Sequence, residues 1–399
     1  MGLSHISPLS FLAFRMKPTR LAVLGSTGSI GRQTLDVVRS LPGRFNVIAL
    51  AAGGNVTLLE EQVREFRPRF VCAGREGEYL MERVSSRGHS SRWAEMEEMA
   101  AHPDVDLVIV ATVGSTGLGP TLAAIRAGKA VALANKEVLV MAGHIITAEA
   151  RRSGADLRPI DSEHSAIWQC LWGEDRDAIE RIIITASGGP FRDTPEHELA
   201  GVTAQEALRH PNWQMGQKIT VDSATLLNKG LECIEARWLF DVPLERVEVI
   251  LHRESVVHSL VEFRDGSLKA QLGVPDMRLP IQCALTYPER LPGVSVPRLD
   301  LKLIGTLSFG APDTKRYPCL ALALEAGRRG GSCPAVLAAA DEIAVQNFLA
   351  GHIRFTDIAH SVSDALNSHT PLANPSLDEV LHVDAWARSY TEDWVKARV

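Results

Sequence analysis

Apolar runs alternate with amphipathic helical patterns over the first part of the chain. Five short runs have the composition of buried strands, at residues 21–24, 47–52, 70–73, 107–111 and 131–134. After the first run, apolar side chains from Ile30 to Leu41 recur with the period of a helix. Continuous apolar strands separated by helices are typical of a parallel sheet that helices cover on both faces. We therefore expect a Rossmann-type α/β domain over residues 20–160.

The pattern changes after residue 160. Loop-borne motifs are mixed there with strand-like runs, at residues 182–186, 247–251, 256–263 and 268–272. This mixture predicts a central α+β domain for catalysis and dimerisation over residues 161–286. Four prolines and little periodicity predict a linker at 287–312. Helical patterns, with a capping box at Ser376 and Glu379, then predict a C-terminal α-helical domain over 313–399.

Composition narrows the class of protein. The 399-residue chain has a formal net charge of −6, which argues against a nucleic-acid partner held by a basic surface. It has no stretch of the ~20 apolar residues that cross a membrane. Its six cysteines form no CxxC pair, as expected for free thiols in a cytoplasmic protein. Residues 1–19 lack both the basic segment and the cleavage pattern of an export signal, so we expect this segment to be a disordered lead-in.

A glycine-rich turn directly follows the first predicted strand. Gly25 permits a tight turn, Gly28 lets the backbone approach a pyrophosphate, and Gly31 lets a helix pack close to the strand. The helix N-terminus then offers free N–H groups to the phosphate. Because strand, turn and helix occur in this order, the motif predicts a dinucleotide site.

The end of the second predicted strand indicates which dinucleotide binds. NAD enzymes commonly carry Asp or Glu about 20 residues past the turn, where it holds the ribose diol. Here the strand ends in Gly53, Gly54 and Asn55, with no acid to repel a 2′-phosphate. This absence favours NADP. The obvious basic partner of a 2′-phosphate is also missing, and Arg75 is the candidate for that role.

Candidate catalytic chemistry begins after the fifth predicted strand and after a further short apolar run that ends before Asp161. Lys136 follows the fifth strand, where an ammonium could hold an anionic or enolic oxygen, and a surface pair with Glu137 is the alternative. Asp161 and Glu163 stand two residues apart, and on an extended segment their carboxylates would point to one side. Two hard oxygen donors form half of a Mg²⁺ or Mn²⁺ site. A solvated loop or a helix cap is the alternative for this pair.

Two later stretches carry side chains of phosphate-binding types. Ser187 ends a strand-like run before two glycines, a shape that suits either a phosphate or a plain turn. Ser223, Asn228 and Lys229 bring a hydroxyl, an amide and an ammonium into one short stretch. These groups predict a phosphate site.

A third carboxylate follows in the same stretch. Glu232 is the candidate to complete the metal site, and a capped helix with solvated charges is the alternative. Glu235, one helical turn further on, fits that alternative and is expected to face solvent.

The segment from His210 to Gly216 places a histidine and Trp213 between a proline and a glycine. This composition suits a mobile lid that excludes water when it closes. A tryptophan that anchors an ordinary surface loop is the alternative.

Seven motifs occur in order along the chain: GSTGSIG, ANKE, DSEHSAI, SGGPF, HPNWxMG, VDSATLLNKGLE and PDMRLPIQ. Together they resemble the 1-deoxy-D-xylulose 5-phosphate reductoisomerase family, from about residue 20 to the C-terminus. Any one motif would be weak evidence, and the ordered set is specific. Family members often carry a basic residue where Gly54 stands, and residues 1–19 lie outside the resemblance.

The resemblance implies roles for these residues. The divalent metal, Mn²⁺ or Mg²⁺, would be bound by Asp161, Glu163 and Glu232. The substrate phosphate would be bound by Ser187, Ser223, Asn228 and Lys229. Further substrate contacts would come from Ser162, Glu232 and the flap residues His210 and Trp213. The catalytic residues would be Lys136, Ser162, Glu163 and His210. NADPH would contact Thr27, Gly28, Ser29, Ile30, Gly53, Asn55, Asn135, Lys136, Glu137, Gly216 and Met277.

The implied reaction converts 1-deoxy-D-xylulose 5-phosphate to 2-C-methyl-D-erythritol 4-phosphate in isoprenoid precursor synthesis. A homodimer would carry it out, and both a retro-aldol/aldol route and a ketol shift fit the rearrangement. Two other functions compete with this one. A simple NADP-dependent dehydrogenase would not need three carboxylates beside a phosphate cluster. A non-catalytic nucleotide sensor would not need catalytic residue types in several segments.

Overall fold

The computed structural model describes residues 17–74, 77, 90–213, 215–293 and 295–398. Two predictions therefore lie outside the described residues: residues 1–16 of the lead-in, and Arg75 as the basic partner of a 2′-phosphate. The described strands of the first sheet are β1 Thr19–Leu24, β2 Phe45–Ala52, β3 Phe70–Ala73, β4 Arg92–Trp93, β5 Leu107–Val110, β6 Ala130–Leu133 and β7 Leu157–Pro159.

All seven of these strands are parallel, in the order β4-β3-β2-β1-β5-β6-β7. From β1, strands β2 to β4 extend the sheet in one direction, and strands β5 to β7 then extend it in the other. The strand order therefore reverses between β1 and β5, and ligands of such sheets bind at this point, outside the carboxyl ends of the strands. The predicted Rossmann-type sheet is confirmed, with β4 as an additional short edge strand.

Helices cover both faces of this sheet because its strands are apolar on both sides. The helices that begin within this part of the chain are α1 Ser29–Ser40, α2 Val56–Phe66, α3 Met96–Ala101, α4 Leu118–Arg126 and α5 Lys136–Ser153. On one face, strand residues such as Leu21 pack in a buried cluster with Leu35 of α1 and Leu59 of α2. On the other face, Val108 shares a cluster with Ile125 of α4.

A second sheet follows, built from β8 Ile179–Ala186, β9 Val247–Leu251, β10 Val257–Phe263 and β11 Leu268–Leu272. Its order is β11-β10-β8-β9, antiparallel except for the β8–β9 pair. The helices of this part of the chain are α6 Ser162–Cys170, α7 Ala204–Ala207, α8 Gln217–Thr225, α9 Leu227–Phe240 and α10 Arg278–Thr286. Ile182 and Val261 of the sheet share a core with Cys233 of α9.

Helix α10 crosses back to the first sheet. Its residues Ile281, Ala284 and Leu285 are buried in the same cluster as Leu21 and Leu35. The sequence pattern places residues 278–286 in the central domain, whereas these three side chains pack with the nucleotide-binding sheet and Cys283 packs in the core of the second sheet. The consequence for function is that residues just before α10 stand beside the glycine-rich turn.

The C-terminal part is helical, as the sequence predicts. It comprises α11 Leu301–Ile304, α12 Pro318–Arg329, α13 Cys333–Leu349, α14 Phe355–Ser368 and α15 Leu377–Lys396. Ser376 caps α15 in the predicted capping box with Glu379. Helix α13 is buried along most of its length, and it lies between the other C-terminal helices and the Rossmann-type domain. Among the described residues, no helix is both long and apolar enough to cross a membrane.

Short helices of the 3-10 type punctuate the connections, at Gly114–Gly117, Arg176–Ala178, Glu196–Gly201 and Leu244–Arg246. The predicted linker 287–312 contains only α11 and an isolated bridge from Gly310 to Leu251 within its described residues. This bridge ties the linker to β9 at the edge of the second sheet.

Candidate active site

The glycine-rich turn lies at the carboxyl end of β1, next to β5. Gly25 has a φ of +90°, and a Cβ there would lie 2.3 Å from the carbonyl oxygen of Ala111. A Cβ on Gly31 would lie 2.2 Å from the carbonyl oxygen of Gly25. Both positions therefore require glycine to keep α1 close to the strand. Gly28 is the N-cap of α1, so the free N–H groups of the helix start at Ser29.

Helix α6 brings in the first two carboxylates. Asp161 is its N-cap and accepts a hydrogen bond from the amide of Ser162 at 2.9 Å, while Glu163 lies in the first turn. The prediction that both carboxylates share one side of an extended segment is wrong, because the segment is a helix start. The helix cap that was the alternative is what forms. It nevertheless brings both carboxylates to one place.

Helix α9 brings in the third carboxylate. Leu226, in the left-handed region with a φ of +59°, separates α8 from α9 and redirects the chain. Glu232 of α9 is buried, and it joins Asp161 and Glu163 in a group whose ligand oxygens all lie within 4.8 Å of one another. Asn228, one turn earlier on α9, donates a hydrogen bond to Glu232 at 2.5 Å.

Two lysines lie against these carboxylates. The Lys136 ammonium, on the first residue of α5, is 3.0 Å from Asp161 and 3.4 Å from Glu232. The Lys229 ammonium is 2.5 Å from Glu163 and 2.6 Å from Glu232. Burial disfavours both charged forms, but the carboxylates outweigh it and raise the pKa of each lysine. Both lysines therefore stay protonated at neutral pH.

The residues present suit a divalent cation. Three carboxylates face two ammonium groups, which leaves an excess of negative charge. The pKa of Glu232 reflects this excess, because burial and the neighbouring Glu163 carboxylate raise that pKa to about 7. Burial also opposes ionisation of Asp161, but the Lys136 ammonium outweighs it and lowers the pKa of that carboxyl. Hard oxygen donors in this number are typical of Mg²⁺ or Mn²⁺ sites.

A second buried group adjoins Asp161. His164 Nε2 donates a hydrogen bond to the carbonyl oxygen of Glu232 at 2.9 Å, which leaves Nδ1 facing Glu235 at 3.5 Å and Asp161 at 3.7 Å. Burial opposes protonation of His164, but Glu235 outweighs it and raises the pKa of the imidazole to about 9. The prediction that Glu235 faces solvent is wrong. Its side chain is buried because α9 presents this face to α6.

The side chains predicted to bind phosphate lie in the same cavity. Ser187 and Ser223 line it together with Asn228 and Lys229. Ser187 follows β8 and accepts a hydrogen bond from the amide of Gly189 at 3.2 Å. In the described arrangement, Asn228 and Lys229 contact the carboxylates, and all four side chains line the same cavity.

His210 is held as a neutral imidazole. Its Nδ1 accepts hydrogen bonds from the amides of Asn212 and Trp213, at 3.2 and 2.9 Å. The proton therefore lies on Nε2, which is 3.0 Å from Ser187 Oγ. Burial and the charge of Lys229 lower the pKa of His210 to about 4. The histidine thus offers a fixed N–H donor on the serine side of the cavity.

The predicted site residues fall into three groups. Fifteen of them line one cavity: Ser29, Ile30, Lys136, Asp161, Ser162, Glu163, Ser187, His210, Trp213, Gly216, Ser223, Asn228, Lys229, Glu232 and Met277. Thr27 and Gly28 line an adjoining groove that shares the flap residues. The others, Gly53, Asn55, Asn135 and Glu137, lie outside the cavity lining. Asn55 and Asn135 cap α2 and α5 with their side chains.

Sequence reasoning missed several cavity residues. Ser255 lines the cavity from the β9–β10 connection, His258 lines it from β10, and Met215 lines it from the flap. Asn212 of the flap donates a hydrogen bond to Ser255 Oγ at 2.6 Å. Ser255 has a φ of +51°, in a turn that no glycine or proline marks in the sequence. Only Met215, which belongs to the HPNWxMG motif, carried a signal.

Comparison with known proteins identifies the family. Family models match this chain at residues 21–143, described as 1-deoxy-D-xylulose 5-phosphate reductoisomerase, and at residues 157–240, described as its C-terminal domain. A third model, described as the DXP reductoisomerase C-terminal domain, matches residues 272–390.

Relatives with this name match nearly the whole chain. The reductoisomerase of Geobacillus sp. strain WCH70 is 54% identical over 373 residues, which cover 93% of this chain and 98% of that protein. That of Pelotomaculum thermopropionicum is 53% identical over 374 residues, with 92% and 96% covered.

Solved structures agree with the fold. A DOX-P reductoisomerase in complex with NADPH, fosmidomycin and magnesium has a TM-score of 0.91 and 42% identity, with 95% of this chain and 98% of that chain covered. The Zymomonas mobilis reductoisomerase in complex with NADPH has a TM-score of 0.88 and 44% identity, with 95% and 99% covered. The predicted fold class and enzyme class are confirmed. The chain belongs to the 1-deoxy-D-xylulose 5-phosphate reductoisomerase family.

Proposed function

We propose that this chain isomerises and reduces 1-deoxy-D-xylulose 5-phosphate to 2-C-methyl-D-erythritol 4-phosphate, with NADPH and a divalent cation, in isoprenoid precursor synthesis. One observation carries the proposal. A single cavity joins Ser29 and Ile30 of the dinucleotide turn, the three carboxylates, and the serines Ser187 and Ser223. A dehydrogenase that only transfers hydride has no need of this carboxylate group beside a phosphate-binding wall.

Asp161, Glu163 and Glu232 are the groups that would hold Mg²⁺ or Mn²⁺. The cation would act as a Lewis acid on the substrate's carbonyl and hydroxyl oxygens. Lys136, 3.0 Å from Asp161, holds an ammonium where negative charge develops on those oxygens. Ser162 lines the cavity, where its hydroxyl, which donates a hydrogen bond to Glu163, would orient a substrate oxygen.

The phosphate-binding wall would hold the phosphate group of the substrate. Ser187, Ser223 and the N–H of His210 supply hydrogen-bond donors, and Asn228 and Lys229 supply an amide and a positive charge. This grip provides binding energy remote from the reacting carbons and holds the substrate in register. Trp213 and its neighbours in the flap line the cavity, and closure of the flap would exclude water from it.

The cofactor lies across the carboxyl ends of β1 and β5 in this proposal. Thr27, Gly28, Ser29 and Ile30 would contact the pyrophosphate, and Met277 and Gly216 would border the nicotinamide, which donates the hydride. Gly53 and Asn55 would border the adenosine ribose at the end of β2. Asn135 and Glu137 would act from the start of α5, where Asn135 already holds the loop at Gly114 by a hydrogen bond of 2.9 Å.

The proposal extends to assembly and compartment. Edge strand β11 exposes Leu268 and Leu272, and a second copy of the chain would cover such an edge in a homodimer. All six cysteines are buried and unpaired, which suits a reducing cytoplasm. Light scattering on the purified protein tests the dimer directly: a monomeric mass would contradict it.

An assay tests the activity. Purified protein is mixed with the substrate, NADPH and either Mn²⁺ or Mg²⁺, while the nicotinamide absorbance is followed. We expect NADPH oxidation that EDTA abolishes, that either metal restores, and that yields the branched product. No oxidation would contradict the proposal. Oxidation that persists in EDTA, with an unbranched product, would identify a simple dehydrogenase instead.

A further inference from the structure

A second group of buried charges lies on the side of α8 that does not line the cavity, and two of its members, Asp222 and Asp341, have no role in the chemistry proposed above. The Lys218 ammonium on α8 is 2.7 Å from Asp222 and 2.9 Å from Asp341. Glu137 of α5 lies 3.8 Å away on a third side. Asp222 and Asp341 are both almost completely buried, so these charges connect α8, α5 and the C-terminal helix α13 through the interior.

Two faces of helix α8 make different contacts. Lys218 and Asp222, four residues apart, lie on the face toward α13. Ile219 and Ser223, also four residues apart, line the substrate cavity on the adjoining face. A rotation or a shift of α8 at the ion cluster therefore moves Ser223 by a comparable amount.

The flap depends on the same helix. Gly216 is the N-cap of α8 and also the last residue of the flap that contains His210 and Trp213. Lys218 lies two residues beyond this point, so its contact with Asp341 defines where the flap joins the rigid part of the molecule.

The positive and negative charges of this cluster are unequal in number, which indicates a role besides stabilising the fold. One ammonium faces three carboxylates, and burial raises the pKa of Asp222 and of Asp341. Buried ion groups of this kind often contribute less stability than apolar side chains of similar volume. Because the Lys218 ammonium lies within ion-pair distance of carboxylates on both helices, it holds α8 and α13 at a set distance, although these contacts lack the geometry of hydrogen bonds.

We propose that Asp341 of the C-terminal helical region is a positioning residue for substrate binding, which acts through Lys218 on the cavity face of α8. This inference rests on the proposed function. It assigns to α13 a part in binding the phosphate end of the substrate, although Asp341 does not line the cavity.

The test compares Asp341→Asn with Glu342→Gln, a matched control on the next residue of the same helix. Glu342 pairs with Arg388 at 2.7 Å, so its loss also removes a partly buried ion pair, away from α8. We expect Asp341→Asn to weaken substrate binding on the order of tenfold, since small misplacements of binding groups have effects of this size or larger. Substrate binding is measured by calorimetry and by KM, and NADPH affinity is expected to stay unchanged.

A double-mutant cycle gives the readout that a purely structural role would not move. Ser223→Ala removes the group that Asp341 is proposed to position. The two substitutions together should therefore weaken substrate binding by less than the product of their separate factors. Should Asp341→Asn not fold, Lys218→Arg keeps the charge with altered geometry and takes its place in the same measurements.

The outcomes are distinct. Unchanged substrate affinity in a folded Asp341→Asn protein with a lowered Tm would show a structural role only and overturn the inference. Multiplicative effects in the cycle, or an equal loss of NADPH affinity, would overturn it as well. Absence of turnover by the unmodified protein would contradict the proposed function instead, while calorimetric binding of the substrate would still test Asp341.

Discussion

Backbone groups form the nucleotide wall of the cavity, whereas side chains form its carboxylate wall. The nucleotide wall is backbone: consecutive residues from Gly25 to Gly31 form a turn and a helix start, and the absence of side chains makes the site. The carboxylate wall is made of side chains from α5, α6 and α9, and its contacts between helices join residues 25 to 96 positions apart. The first wall tolerates no added volume, and the second tolerates no change of charge. This difference predicts which substitutions damage which binding event.

The largest effect is expected from Glu232→Gln. It removes one of the three carboxylates and leaves Lys136 and Lys229 with less negative charge to face. Because even outer-shell partners of metal sites contribute about 10- to 100-fold, we expect kcat/KM to fall by at least about 100-fold. The measurements are NADPH oxidation and Mn²⁺ binding by electron paramagnetic resonance. Glu262→Gln, which removes a carboxylate from an ion pair on β10, is the control. Full activity in Glu232→Gln would remove that residue from the metal site.

Gly31→Ala tests the nucleotide wall. The added methyl group would lie 2.2 Å from the carbonyl oxygen of Gly25, so the turn must shift. We expect a stability loss of about 1–3 kcal/mol, typical of overpacking, and a weaker NADPH affinity with Mn²⁺ affinity unchanged. Thermal unfolding and NADPH fluorescence titration measure both. Gly201→Ala, where nothing lies within 4 Å of the added atom, is the control. Equal losses of NADPH and Mn²⁺ affinity would contradict the separation of the walls.

Glu235→Gln tests the carboxylate wall indirectly, through the residues that support it. Glu235 faces His164, which in turn faces the candidate metal ligand Asp161. Groups that orient metal ligands typically contribute about tenfold or more to metal affinity, and we expect a loss of that size for Mn²⁺. NADPH affinity should not change. A variant with unaltered Mn²⁺ affinity would show that the His164–Glu235 pair serves only to pack α6 against α9.

The smallest effect is expected from Gly54→Arg at the rim of the nucleotide wall. Nothing lies within 4 Å of an added Cβ, and the backbone there needs no glycine, so the side chain can be accommodated. An exposed ion pair with a 2′-phosphate is worth up to about 1 kcal/mol, so the preference for NADPH over NADH should rise about two- to fivefold. Gly54→Ala is the control. A preference that stays constant would place the 2′-phosphate away from this position.

Much of the fold could be predicted because it depends on neighbours in the sequence. The apolar runs that became β1, β2, β3, β5 and β6 are buried strands, and the capping box at Ser376 begins α15. The two-residue strand β4 is too short to leave a periodic pattern. Residues 278–286, which form α10, were predicted as part of the central domain, because a sequence pattern does not show which sheet their apolar side chains cover.

The site divides in the same way. The motifs brought together by the resemblance lie around one cavity, yet the local argument for Asp161 and Glu163 failed, since a helix cap and an extended segment can present the same residue types. Glu235 carried the signature of a solvated helix face. Its burial depends on α6, which packs against α9 from a distant part of the chain.

By itself, the sequence determined the glycine-rich turn, the alternation of strands and helices, and the family to which the chain belongs. These features follow from steric rules and hydrogen bonds between residues close together in the chain. Only the tertiary structure decided that Glu235 and Asp341 are buried, that Lys136 and Lys229 share three carboxylates, and that α10 returns to the first sheet. The physical reason is that the free energy of a charge or an apolar face depends on what surrounds it, and those surroundings come from distant segments.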